Sequence, residues 1–128
     1  MDQKALVSAV NARTSLSREE SADITRAVLE ALADQVSEGE AKRLAMDLPE
    51  SLGEQLQVQR RRKQGAHPIA VTDFVRQVGE RAGLTQDEAR AGTAAVLAAL
   101  RQALSEDDYR HITGQLPAGY TELVQAAS

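Results

Sequence analysis

Residues 84–100 read Leu84-Thr85-Gln86-Asp87-Glu88-Ala89-Arg90-Ala91-Gly92-Thr93-Ala94-Ala95-Val96-Leu97-Ala98-Ala99-Leu100. A threonine followed three residues later by glutamate, just ahead of an apolar run, is the capping box that opens a helix. Behind it, Ala91, Ala95, Val96, Ala99 and Leu100 recur at the spacing of one helical face. The pattern occurs twice. At an offset of 68 residues Leu16 stands for Leu84, and Ser17-Arg18-Glu19-Glu20 follows as a second capping box. Ile24, Ala27, Val28, Ala31 and Leu32 then supply the apolar face of that earlier helix.

The same ungapped offset pairs Val7 with Val75, Val10 with Val78, Arg13 with Arg81 and Thr25 with Thr93. It also pairs Ala27-Val28-Leu29 with Ala95-Val96-Leu97, Ser37-Glu38 with Ser105-Glu106, and Leu48-Pro49 with Leu116-Pro117. Self-similarity at one fixed spacing is the mark of an internal repeat. The two copies run over about 6–56 and 74–124, and a basic connector, 57–72, joins them.

Each copy reads as a series of about four short helices. The first, over Gln3 to Asn11, carries Leu6, Val7 and Val10, matched by Phe74, Val75 and Val78. The long capped helix comes second. A third carries Ala41, Leu44 and Leu48, matched by Tyr109, Ile112 and Leu116. Pro49 and Pro117 suit the first turn of a fourth, where a missing amide hydrogen costs nothing. That helix buries Leu52 and Leu56, or Tyr120, Leu123 and Val124. One copy alone would bury too little apolar surface to be comfortably stable. The expected fold is therefore all-α: one domain over 1–128, about eight short helices in two pseudo-symmetric halves packed as a single bundle. Ala27, Ala31, Ala95 and Ala99 would let the two long helices approach closely.

Composition agrees. Only 2 % of the 128 residues are aromatic, so the core must be Ala, Leu and Val, a palette that favours helices over sheet. The absence of cysteine excludes disulfides, thiolate zinc sites and a cysteine nucleophile. A net charge of −4 gives no general attraction to nucleic acid or anionic membrane. Met1 to Val7 lacks the apolar run of a secretory signal, and no window offers the roughly 20 apolar residues of a membrane span. A cytoplasmic protein is expected, without a membrane partner.

The ordered pattern Phe74-Val75-Arg76-Gln77-Val78, Glu80-Arg81-Ala82-Gly83-Leu84, Glu88-Ala89, Ala95 to Leu100, Leu104-Ser105 and Gln115-Leu116-Pro117 resembles the bacterial family known as domain of unknown function 2267. The first half repeats it more loosely, so the resemblance covers almost the entire chain. It implies an all-helical bacterial protein of two related halves and brings no activity with it. In the connector this chain carries a basic run in place of an aromatic, glycine-containing segment.

Candidate chemistry is sparse. Arg13 and Arg81 end the first helix of each half, where a cation complements the helix terminus. Glu20 and Glu88 complete capping boxes, and Thr25 and Thr93 can bond back to the preceding turn's carbonyl. His67 and His111 are the only histidines, and neither has metal-ligand spacing around it. Glu106-Asp107-Asp108 opens a helix, where carboxylates are favoured anyway. Phosphate-loop and nucleophile-elbow motifs do not occur. No catalytic, cofactor or metal residue is therefore assigned, and an enzyme is not expected.

Arg60, Arg61, Arg62 and Lys63 stand out. Without these four, 11 basic residues face 19 acidic ones. Such a run can contact phosphate backbones without reading bases, or simply solvate a linker. The leading expectation is a non-catalytic interaction or scaffold module with an unnamed protein partner; a homodimer would fit that design. The alternative is a nucleic-acid-associated protein that uses the basic connector.

Overall fold

The computed structural model describes residues 3–35, 39, 42, 69–114, 116, 119, 120, 122 and 123. Among them five helices follow in order: α1 (Gln3–Ala12), α2 (Arg18–Gln35), α3 (Val71–Ala82), α4 (Gln86–Ala103) and α5 (Glu106–Gly114). The described residues contain no strand, so the chain is all-helical there. Apart from Gly39 and Lys42, which are helical, the expected third and fourth helices of the first half, the connector run and Pro49 lie outside the described residues. α3 opens at Val71, so the last two residues assigned to the connector are helical. Leu116 lies beyond the end of α5, half-buried, rather than within that helix.

Both long helices begin where their caps dictate. Glu20 N–H donates to Ser17 Oγ at 3.1 Å, and Ser17 N–H donates to Glu20 Oε1 at 2.9 Å. Glu88 N–H donates to Thr85 Oγ1 at 3.2 Å, and Thr85 N–H to Glu88 Oε1 at 3.0 Å. Each box satisfies two amides that a helix start leaves without intrahelical partners. α5 has a simpler start, with Asp108 N–H donating to Ser105 Oγ at 3.1 Å.

α4 is buried on every side from Gly92 to Leu100. A helix apolar all round belongs at the centre of a bundle, and α4 packs against α1, α2, α3 and α5. α2 is the second central element, packed on α1, α3 and α4. The two long helices pack on each other, and Ala27, Ala31, Ala95 and Ala99 are all at most 3 % exposed. Ala91, placed by its apolar type on the buried face of α4, is exposed instead; Gly92 is the buried residue. There the Ile24 side chain of α2 occupies the space a Cβ would need. Leu6, Val10, Phe74, Val75 and Val78 fill the remaining core from the two short helices α1 and α3, each of which lies against both long ones.

The two short-to-long connections close by different chemistry. After α3, Gly83 adopts φ 71, and the backbone N–H groups of Gly83 and Leu84 both reach Gly79 O. That left-handed position suits glycine. After α1 the turn contains no positive φ, and Asn11 Nδ2 donates to Leu16 O at 2.9 Å and to Ser21 Oγ at 3.1 Å. A Cβ on Gly79, 68 positions after Asn11, would stand 3.3 Å from Leu84 O and 3.2 Å from Ala89 Cβ. One turn is bridged by an amide side chain; the other is close enough to need none.

Candidate functional site

The polar groups that sequence singled out are placed by local structure. Thr25 Oγ1 donates to Ser21 O and Thr93 Oγ1 to Ala89 O, both at 2.7 Å and both buried. These hydroxyls are held by their own helices, as expected of threonine inside a helix. Arg13 follows the last residue of α1, and its Nη1 donates to Ala9 O at 3.2 Å. Arg81, in the last turn of α3, pairs with Glu30 of α2 at 3.8 Å. His111 Nδ1 lies 2.7 Å from Asp107 O on the exposed side of α5. Glu106 pairs with Arg110 one turn later at 3.2 Å. Among the described residues, no group of three His, Asp or Glu is placed to hold a metal ion. Arg60, Arg61, Arg62, Lys63 and His67 lie outside the described residues.

The Glu88 carboxyl is held below its ordinary value of 4.5, first by the Thr85 backbone N–H and then by the Thr85 hydroxyl. Both phenols move the other way. Burial raises Tyr109, and burial raises Tyr120 to about 12, with the nearby Asp73 charge adding to the rise.

The structure adds a feature not singled out from sequence. A shallow groove, open to solvent, lies between α1 and α2 and is lined by Lys4, Val7, Arg18, Glu19 and Ala22. Val7 and Ala22 give it an apolar floor, and three charged side chains form its rim. Arg18 is anchored by an Nη2 bond to Ser8 Oγ at 2.9 Å, which ties the start of α2 to α1. One sequence signal could have pointed here. At the 68-residue offset Lys4 meets Thr72 and Arg18 meets Gln86, so two cations stand against neutral residues there.

Residues 3–123 match the family model described as "Uncharacterized conserved protein (DUF2267)". The chain belongs to the DUF2267 family. The match spans every helix described above, and so the resemblance carried by Phe74 to Pro117 extends through both long helices. No curated protein matches the chain. No helix of the described residues is long and apolar enough to cross a membrane.

Proposed function

We propose that this DUF2267 protein is a non-catalytic, cytoplasmic interaction module that receives a protein partner in the α1–α2 groove. The observation that carries the reading is the groove's make-up: an apolar floor from Val7 and Ala22 inside a rim of Lys4, Arg18 and Glu19. A polar rim around an apolar centre is the general anatomy of protein interfaces. The titratable and hydroxyl groups elsewhere support it too, since Glu20, Glu88, Thr25, Thr93 and His111 are already engaged in caps or turns.

The proposal includes the architecture: one domain of two pseudo-symmetric halves, about eight helices in all. Two recurrences at 68 residues support that reading, the two capping boxes and the two back-bonded threonines, and so does the packing of Ile24 on Gly92, the residue 68 positions later. A residue touches its own counterpart only near a twofold axis. α1 on α4 and α3 on α2 is also the exchange of contacts that such an axis produces.

Affinity capture with the parent and with a Lys4→Glu/Arg18→Glu variant tests the interaction reading. One stoichiometric protein partner, held by the parent and lost by the variant, is expected. A partner retained undiminished by the variant would remove the groove from the interaction, and capture of nucleic acid in place of protein would promote the basic connector.

A further inference from the structure

Lys4 and Arg18 are the two cations of the α1–α2 groove, and both are exposed. Neither meets a carboxylate among the described residues. Lys4 makes no ion pair there, and Arg18 spends its one bond on the Ser8 hydroxyl, a neutral group. That bond holds the guanidinium in place and uses one of its several N–H donors, so the others stay available to an acceptor from outside. A positive charge held in position without a counter-ion is a contact for a carboxylate.

The spacing of the two cations follows from α1. Ser8 comes one helical turn after Lys4, so the anchored guanidinium and the root of the lysine stand about 6 Å apart along that helix. Carboxylates at positions i and i+4 of a second helix have the same separation. Between the cations lie the groove's apolar atoms, from Val7, 7 % exposed, and the half-buried Ala22. Glu19 completes the rim, and it too makes no ion pair among the described residues. Its charge works against a continuous polyanion, which would bring phosphates onto it. A peptide helix can leave that place neutral or basic.

We propose that the occupant of the groove is an acidic amphipathic helix of a partner protein, with carboxylates one turn apart on Lys4 and Arg18 and an apolar side chain beside them on Val7 and Ala22. The proposal rests on the groove reading above and adds the partner's chemistry to it. Because the groove is shallow, charge does most of the selecting, and two exposed ion pairs strengthen binding by only about 2- to 30-fold.

Fluorescence anisotropy with the full chain and a labelled helical peptide supplies the test. The probe is an alanine–glutamine helix with one Leu and two Glu four positions apart; two counterparts carry Gln or Lys in place of both Glu. The Glu peptide should bind tightest, and added salt should weaken it. Lys4→Gln/Arg18→Gln should weaken it about 2- to 30-fold with helical circular dichroism unchanged. Lys4→Glu/Arg18→Glu should reverse the order, so that the Lys peptide binds tightest. The chain with Arg60, Arg61, Arg62 and Lys63 all changed to Gln should bind the Glu peptide as the parent does. Loss of binding in that variant would assign the acidic contact to the connector and overturn the proposal. Self-association abolished by the groove variants would overturn it in favour of a second copy. Three peptides binding alike, and all weakened by Ala22→Gln, would overturn the acidic partner and keep the groove. No binding of the Glu peptide would overturn the acidic partner as well, while affinity capture still decides the groove.

Discussion

Ile24 of α2 lays its side chain on Gly92 of α4, the residue 68 positions later in the chain, and a Cβ at Gly92 would stand 3.0 Å from Ile24 Cγ1 and closer still to Cδ1. Large meets nothing at the place where the long helices cross. Two copies of isoleucine would collide there, and two glycines would leave a void. Gly92→Ala therefore sets a helix-propensity gain of about 1 kcal/mol against an overpacking cost of about 1–3 kcal/mol. We expect net destabilisation in denaturant melts. Ile24→Val removes the offending Cδ1 and alone should cost about 0.5–1.5 kcal/mol. The double variant should be more stable than the sum of the singles predicts, because the two side chains share one space. Strict additivity would separate them.

Leu32 and Leu100, each 1 % exposed, sit on the two central helices 68 residues apart. Leu32→Ala and Leu100→Ala should each cost about 2–5 kcal/mol, the range for a buried leucine. Both should shift one common unfolding transition, since each central helix packs on the other and on both short ones. Two transitions, each sensitive to only one of the variants, would argue for separable halves.

The features legible in sequence are those whose cause lies within a few residues. Ser17 and Glu20, or Thr85 and Glu88, need only each other to cap a helix; Thr25 and Thr93 need only the turn behind them. Ala91 misled because apolar type is a poor guide on a helix that is buried nearly all round; the vacant position opposite Ile24 belongs to Gly92, which has no side chain to count. Leu116 keeps helical spacing with Ile112, yet α5 ends at Gly114. Tyr120 reaching Gln35, 85 residues away, depends on how helices pack, and no local pattern encodes it. The α1–α2 groove has the same origin. Its only trace in sequence is that Lys4 and Arg18 meet the neutral Thr72 and Gln86 at the 68-residue offset.

Glu88 carries a pH dependence of known sign. Its carboxyl is held below 4.5 in the folded protein by the Thr85 amide and hydroxyl. A lowered folded value stabilises the protein above the unfolded value, and that contribution disappears as pH falls through the folded one. Glu88→Gln keeps an acceptor for the Thr85 amide but removes the charge. Thermal melts should therefore show the parent ahead of the variant at neutral pH, with the gap closing below pH 4.5. A gap that stays constant down to acid would mean that the charge contributes nothing.

Tyr120 works at the opposite end of the scale. Its folded value of about 12 lies above the ordinary 10.0, mainly through burial. A raised value gives stability that is complete below pH 10.0 and is lost as pH climbs toward about 12. In Tyr109→Phe, where Tyr120 is the remaining phenol, the phenolate absorbance should rise well above pH 10.0, coincident with loss of helical circular dichroism. Titration at the ordinary value with the helix signal intact would place the ring in water.

The basic connector decides between the proposed function and its alternative. If Arg60, Arg61, Arg62 and Lys63 contact phosphates, binding must be weak, blind to sequence and salt-sensitive, with a log–log slope of about −3 to −4 on duplex DNA. Opposing this, 19 acidic residues face only 11 basic ones elsewhere in the chain. Their repulsion of a polyanion reaches about one Debye length, roughly 8–10 Å near physiological salt. We expect no measurable duplex binding by the parent at about 0.15 M salt, and equal helicity in the variant with all four changed to Gln. Stability should shift by no more than about 0.5 kcal/mol, as surface substitutions usually do. Tight binding by the parent that vanishes in the quadruple variant would reverse the order of the two readings. The α1–α2 groove would then be an incidental surface, and the connector would be the functional element.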